Sequence, residues 1–497
     1  MITTIEHFSN EIFHEIFEYL YGNEIYKAFS RLNYRFEQLI DDPCLQYKIL
    51  IDYSSNEKRT KKKLKRVCQM NKKQIFCISI WTWINNTEII SSLDFNSSYS
   101  NLQHLILSYI QPNTISVVLH QLIELPRLYS LTIQTEDTIK TFGKIYQLVF
   151  TLPKLRYFKC KADEATNEII NKSLPIASLE QLTSIEQLII DHPCSLKQLV
   201  HLVSYTPKLQ YLKFLNLNDN NKKNFNFLSS IQLPNLTFLS IQSYHTMFDT
   251  LETYELNGFF HSFWLQRQWI LEIEVECDEI TYLIHPYKKR WFEYNEQKEI
   301  DLSKSRQVIL DIVSPEMWYS TLTIHDYIKH IHSAMKIDQL HIRPAIFVVK
   351  LIEILELLPE LDALKLSTIS FSDPRKVTQD EFIQMFCLTN QIRITKLYLG
   401  KIRQIQHVYF FLTICPLIKQ LEINNLPKKM KIKLFLRLLL IQIKNRSKFS
   451  NLRLLCIRLP LIDDKMILKL KQMIQDESLL VDFTIKRMMD KVYLEWK

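Results

Sequence analysis

The sequence predicts an α/β fold: a horseshoe solenoid built from a leucine-rich repeated unit, behind a small all-α domain at the N-terminus. Three observations predict it. A phrase of the form Leu-x-x-Leu-x-Leu recurs along most of the chain. A stretch with helical apolar spacing precedes the phrase. Ahead of the first phrase, residues 1–50 carry apolar stripes at three- and four-residue spacing instead.

Composition supports a folded chain that binds and does not catalyse. Of 497 residues, 47% are hydrophobic and 23% charged, the balance of a packed protein. Glycine is the outlier. Gly22, Gly143, Gly258 and Gly400 are the only four, where an average usage of about 7% gives roughly 35. Glycine supplies left-handed backbone and close approach to phosphates. Four scattered glycines therefore exclude a Gly-rich nucleotide loop, a P-loop and a nucleophile elbow. Most large enzyme superfamilies go with them, and no cofactor is expected.

The formal net charge is +9. Its densest basic run is Lys58, Arg59, Lys61, Lys62, Lys63, Lys65 and Arg66, followed by Lys72 and Lys73. A nuclear localisation signal or a nucleic-acid contact fits such a run; a solvated helix face and linker fits it more simply. Nine cysteines, none in a CxxC pair, point to reduced thiols and a cytoplasmic or nuclear setting. The opening MITTIEHFSNEIF has no basic n-region or apolar h-region, so no signal peptide is expected. No apolar run approaches the ~18–20 residues of a membrane span, so no membrane partner is expected.

Taken in chain order, residues 1–50 read as three short helices. Ser9 or Asn10 caps the first, with Glu11 in its first turn. Ile12, Phe13, Ile16, Phe17 and Leu20 make one apolar stripe, ended by Gly22 and Asn23. The second helix carries Ile25, Ala28 and Phe29. The third carries Phe36 and Leu39 and stops at Asp42-Pro43, because the residue before proline avoids helical backbone. So small a domain buries little surface by itself. Phe13, Phe17, Phe29 and Phe36 are more aromatic area than it is expected to cover alone. Residues 51–100 read as a basic linker leading into the solenoid.

The leucine phrase then begins. Its first apolar positions fall at 102, 128, 155, 185, 209 and 236, and again at 337, 361, 394, 418 and 452, in steps of 24 to 34 residues apart from one of 101. Such periods mark stacked units that share a core. Apolar spacing predicts helices over Val117–Glu124, Ile145–Thr151, Leu196–Tyr205, Val348–Leu358 and Val408–Cys415. The unit is thus helix, tight turn and short strand, with a first block over 101–243 and a second over 337–459. Alternation puts Leu212 and Phe214 inside and Tyr211 and Lys213 outside. Between the blocks, 244–336 reads as irregular repeats with inserted strands. There Glu272, Glu274 and Glu276 alternate with apolar residues, and Val308–Val313 is strand-like. Residues 460–497 read as a C-terminal cap, ending in an edge strand over Val492–Lys497.

At this point the chain resembles the F-box/leucine-rich-repeat proteins. The F-box pattern opens Leu-Pro, continues with an acid and Ile-Phe-x-Tyr-Leu, and ends near Asp-Pro-x-Leu. Here Phe8-Ser9, Glu11, Ile16-Phe17, Tyr19-Leu20 and Asp42-Pro43-Cys44-Leu45 stand at those places. Phe36 replaces the usual tryptophan and Asn33 a frequent cysteine. Cys415-Pro416 looks like the opening of a family repeat. The repeats lack the regular Asn or Cys that bonds the turn after the strand, with Asn216 and Asn425 as partial matches. The resemblance implies the substrate receptor of a Skp–cullin–F-box ubiquitin ligase. Phe8, Ile12, Ile16, Phe17, Leu20, Ile25, Phe29, Phe36 and Leu45 would then bind the Skp adaptor, with the cullin scaffold beyond it.

The target of such a receptor is expected on the outward face of the strands. That face presents Tyr157, Lys159, Tyr211, Lys213, Phe238, Lys365, Lys396 and Tyr398. Aromatics with lysines suit an acidic protein surface, or a nucleic acid. A protein is the expected partner. The alternatives are a repeat scaffold outside any ligase and a nucleic-acid-binding horseshoe. Metal chemistry finds little support. His325, Asp326, His330 and His332 give no full zinc set, His192-Pro193-Cys194 reads as a loop with two possible ligands, and the three glutamates are expected to pair with Lys288, Lys289 and Arg290 on a neighbouring strand.

Overall fold

A computed structural model describes residues 7–52, 70–81, 93–135, 142–162, 174–216, 233–244, 269–276, 279–286, 306–310, 328, 337–371, 391–426, 431–445, 451–460 and 463–497. The fold is mixed α/β, with ten helices among the described residues and open strand ladders. It divides into two compact units, Met1–Gln242 and Ser243–Lys497.

The first unit opens with α1 (Asn10–Glu18), α2 (Gly22–Phe29) and α3 (Tyr34–Ile40). The ladder follows: β1 (Tyr47–Asp52), β2 (Ile75–Trp81), β3 (His104–Ser108), α4 (Pro112–Leu122), β4 (Ser130–Thr135), α5 (Phe142–Phe150), β5 (Tyr157–Ala162), β6 (Gln187–Cys194), α6 (Leu196–Ser204), β7 (Tyr211–Asn216) and β8 (Phe238–Tyr244). Strands β1 to β7 pair in sequence order, every pair parallel. Two strands therefore stand ahead of the first leucine phrase. β1 occupies the end of the expected all-α domain, and β2 occupies part of the expected linker. Gly22 is the first residue of α2 and lies against β1, where an added Cβ would sit 2.9 Å from the Tyr47 side chain. Most of the basic run lies outside the described residues.

The phrase forms this ladder because its three apolar positions all point inward. Leu128, Leu131 and Ile133 are buried, as are Leu155, Phe158 and Cys160, and Leu209, Leu212 and Phe214. Full burial of one such apolar side chain stabilises by ~1.5–3 kcal/mol. Two devices fix the register. One carbonyl per unit accepts two N–H groups of the next: Gln103 from Tyr129 and Ser130, Tyr129 from Arg156 and Tyr157, Arg156 from Glu186 and Gln187, and Glu186 from Gln210 and Tyr211. A polar side chain just before the first apolar position also donates backwards. Asn101 reaches Lys73 O at 2.8 Å, Ser184 reaches Leu155 O at 3.0 Å and Asn235 reaches Pro207 O at 3.3 Å. These bonds precede the strand, whereas the Asn or Cys of the repeat pattern follows it. Helix starts are equally local. Pro112 opens α4, and Ser195 and Gln198 exchange hydrogen bonds at the start of α6.

His192-Pro193-Cys194 belongs to β6 and not to a loop. His192 and Cys194 point inward and are fully buried. The Tyr146 hydroxyl meets His192 Nε2 at 2.7 Å, and Phe142 stacks on the ring at a centroid distance of 4.0 Å. This histidine is a core residue with its polar atoms satisfied.

The second unit contains β9 (Trp269–Glu276), β10 (Glu279–Pro286), β11 (Arg306–Leu310), β12 (Gln339–Phe347), α7 (Val348–Leu357), β13 (Ala363–Ser370), β14 (Lys396–Lys401), α8 (Ile405–Ile414), β15 (Gln420–Asn425), α9 (Ile432–Asn445), β16 (Leu454–Arg458), α10 (Asp464–Asp476), β17 (Phe483–Met488) and β18 (Lys491–Trp496). β9 and β10 pair antiparallel, and β9 leads in parallel through β11 to β16. The doubly accepting carbonyls recur at Asp338, Asp362, Thr395 and Lys419. Asn451 donates to Pro416 O at 3.0 Å, repeating the side-chain device of the first unit.

One expectation is corrected here, and a second falls partly outside the described residues. The tail strand is not an edge, because β18 lies antiparallel between β16 and β17. The second expectation concerns the glutamates: Lys288, Lys289 and Arg290 lie outside the described residues, and among the described residues two of the glutamates have other partners. Glu272 faces His285 at 3.3 Å, and Glu274 pairs with Arg343.

Gly400 marks a tight crossing in this unit. A Cβ there would lie 2.6 Å from the backbone oxygen of Ser367 in β13. Backbone yields less readily than a side chain, so Gly400→Ala should destabilise the protein by roughly 1–3 kcal/mol. Gly22→Ala, which meets a side chain, should cost less. Urea unfolding of both variants checks the order.

A second prediction concerns pH. Burial pushes His192 down to about 4 from the usual 6.5, against the opposing pull of the Pro193 carbonyl and Asp191. The folded state therefore resists a proton that the unfolded chain accepts. Its contribution is fully present above pH 6.5 and declines as pH falls from 6.5 to 4, by up to ~3 kcal/mol. Thermal unfolding of the wild type should lose stability across that window, and His192→Asn should flatten this part of the profile.

Candidate interaction faces

At the N-terminus, three helices close around their own aromatic residues. Phe13 meets Phe36 at a centroid distance of 4.9 Å and Phe29 at 6.2 Å, and Phe17 meets Phe29 at 5.1 Å. Phe13, Phe17 and Phe36 are buried. The rings pack edge-on or tilted inside the cluster, and in the whole chain only Phe29 of the four stays half-buried. Arg35 lies over the Phe13 ring at 5.5 Å and donates to Asn10 Oδ1 at 2.7 Å, holding the start of α1 against α3. Asn33 caps α3 by accepting from Phe36 N–H at 3.1 Å, which gives this position its own structural role.

The expected adaptor-binding residues therefore divide. Phe17, Ile25, Phe36 and Leu45 are core. Ile16, Leu20 and Phe29 are half-buried. Phe8 and Ile12 are exposed, at 40% and 41%, and Tyr19, Leu32 and Tyr34 are exposed with them. Sequence periodicity identifies an apolar stripe, but it does not separate the inner half of a stripe from its rim. The unit is also tied to the ladder. Tyr47 Oη donates to Ile40 O at 2.5 Å, and Gln74 Nε2 donates to Ile40 O at 3.1 Å and Asp42 O at 2.7 Å.

In the first unit, parallel register lines up the outward residues in rows across the strands. One row runs Ser130, Tyr157, Gln187, Tyr211, and Tyr211 stacks on Phe238 with centroids 4.4 Å apart and planes 4° from parallel. The next row runs Thr132, Lys159, Ile189, Lys213. Lys159 Nζ lies 3.2 Å from Asp191 Oδ2, while Lys213 has no ion pair among the described residues. Burial, reinforced by Tyr157 and Asp191, raises the Tyr211 hydroxyl above its ordinary value. The register, with the Tyr211–Phe238 stack, thus gathers all five residues expected here.

The second unit gathers the other three. Lys365 and Tyr398 are register partners, and the ammonium sits over the ring at 5.0 Å. Lys396 pairs with Asp362 at 2.8 Å. The same row continues from Tyr398 to Glu422. Glu422 was not expected as a site residue. It is buried on the outward side of its strand and paired with Lys491 at 2.7 Å. Burial lowers the Lys365 ammonium below its ordinary value, with Glu422 opposing and Arg343 and Lys491 adding to the effect. Nothing in the alternation of β15 signals Glu422, because its partner comes from a strand 69 residues away.

A cavity of about 730 Å³ in the first unit is lined by the turns ahead of the strands, with Phe150, Pro153, Tyr205 and Pro207 among its walls. Among the described residues no cluster of three metal-ligating side chains occurs; His325, Asp326, His330 and His332 lie outside them. No helix of the described residues is long and apolar enough to cross a membrane. No protein-family model matches the chain, and no curated protein sequence is similar to it.

Proposed function

We propose that the protein is a recognition subunit and not a catalyst: a leucine-rich-repeat solenoid whose outward strand face binds a target protein. Its helical N-terminus would dock, F-box-like, on a Skp adaptor within a cullin ubiquitin ligase. One observation carries this reading most directly. The repeated register buries every inward residue of the phrase and sets Tyr157 and Tyr211 in one outward row and Lys159 and Lys213 in the next. Such a surface offers rigid contact area with few rotors to immobilise. Working in the cytoplasm or nucleus fits the reduced cysteines of the sequence.

A protein partner is favoured over a nucleic acid by the stacking. Bases bind single aromatic faces, and Tyr211 and Phe238 cover each other's inner faces. A second reading has its own support. Tyr47 and Gln74 bond the helices to the first strands, as a cap on a scaffold outside any ligase would require.

The two readings separate on the adaptor. In the ligase reading, Ile12→Asp should abolish co-purification of the Skp adaptor and leave unfolding within ~0.5 kcal/mol of the wild type, as for an ordinary surface change. Phe17→Ala is no test, since a buried phenylalanine costs ~3–5 kcal/mol when truncated. If the wild type retains no adaptor, the helices are a cap.

The face is tested independently. Tyr157→Ala and Tyr211→Ala should each weaken target binding by ~2 kcal/mol or more, roughly thirty-fold. Val117→Ala, on the exposed side of α4, should leave it unchanged. Quantitative pull-down from cell extract with all three variants measures this. Partners that survive both tyrosine changes would place recognition elsewhere.

A further inference from the structure

The chemistry of the target can be narrowed, on the reading that the outward strand face of the first unit is where a target binds. Strands β4 to β7 present Lys159, Lys161 and Lys213 outward against the single acid Asp191. The face is therefore cationic, and Lys213 lacks an internal partner among the described residues. Neighbouring strands are ~4.8 Å apart. Lys159 and Lys213 share a row two strands apart through Ile189, so their stems rise roughly 9.6 Å from each other. The aromatic row of Tyr157, Tyr211 and Phe238 runs alongside, one pleat away. Successive outward residues on a strand are ~6.6 Å apart, which sets the width of the trough between the rows.

An occupant must match that spacing. An α-helix returns a side chain to one side every ~5.4 Å, or ~10.5 Å over seven residues, and neither matches the lysines. An extended β-peptide repeats its side every ~6.6 Å, too short for the lysines. Polyproline II advances ~3.1 Å per residue with three residues per turn, which brings side chains to one side every ~9.3 Å. It is also the backbone that aromatic ledges ordinarily receive. We propose that the face binds an acidic target segment in polyproline II conformation, with carboxylates three residues apart on Lys159 and Lys213 and its spine along Tyr157, Tyr211 and Phe238. Lys159 keeps its half-buried contact with Asp191 and offers the remaining N–H groups of its ammonium to the incoming carboxylate.

Fluorescence anisotropy on the full chain tests this with labelled eight-residue peptides. Pro-Pro-Glu-Pro-Pro-Glu-Pro-Pro should bind at least tenfold tighter than a peptide with glutamates two apart, and tighter than its glutamine counterpart. Its affinity should fall as salt rises. Lys213→Glu should lose tenfold or more while circular dichroism and melting stay unchanged. A peptide with lysine for one glutamate should recover binding to that variant. Equal binding of both spacings overturns the proposal. So does undiminished binding by Lys213→Glu, or a preference for a helical peptide with acids seven apart or for oligouridylate. If no peptide binds while Tyr211→Ala still strips the captured partners, the proposal fails and the target face stands. If Tyr211→Ala keeps those partners, the target face itself is wrong.

Discussion

The structure depends on one register. A single carbonyl in each unit, such as Gln103, Tyr129 or Arg156, accepts two N–H groups from the next. That shared acceptor sets each strand level with its neighbour. A slip of one residue would turn Leu155, Phe158 and Cys160 outward and bring Tyr157 and Lys159 into the core. The buried triplets make such a slip costly, and the bonds from Asn101, Ser184, Asn235 and Asn451 reinforce the alignment. Neither device is available to an isolated unit, since both the acceptor and the apolar neighbours come from the adjoining one.

The outward face inherits its order from the same constraint. Tyr157 and Tyr211 lie in one row, and Lys159 and Lys213 in the next, only because the inward residues fix the strand levels. The second unit uses its outward side differently. There Glu422 is buried and neutralised by Lys491, and Lys365 is held over Tyr398. Breaking one half of such a pair leaves a charge stranded, so part of this surface serves cohesion and not contact. In the first unit Lys213 is half-buried and has no ion pair among the described residues.

The sequence was most legible where a local period coincides with a shared core. Predicted helices over Leu196–Tyr205 and Val348–Leu358 match α6 and α7 to within a residue or two, because their ends are set by the adjacent Ser195 cap and by proline. The strand phrases were legible for the same reason. The helical N-terminus was legible as elements but not as a surface. A stripe such as Ile12, Phe13, Ile16 and Phe17 fixes which side of a helix is apolar, and only the neighbouring helices decide that Phe13 and Phe17 are covered while Ile12 is not. Strands β1 and β2 went unrecognised because they lack the leucine phrase, although Ile49, Ile51, Ile78 and Ile80 are buried as its leucines are.

The sequence by itself determined the α/β class, the repeated unit and the inward or outward sense of most strand residues. Each follows from periods of two and of roughly three and a half residues, which are properties of the local backbone. Tertiary structure alone decided the partners: Glu272 with His285, Glu274 with Arg343, Glu422 with Lys491, and Tyr211 against Phe238. These pairs lie 13 to 69 residues apart. Their meeting depends on which strands become neighbours, a matter of sheet order and register that no local pattern encodes.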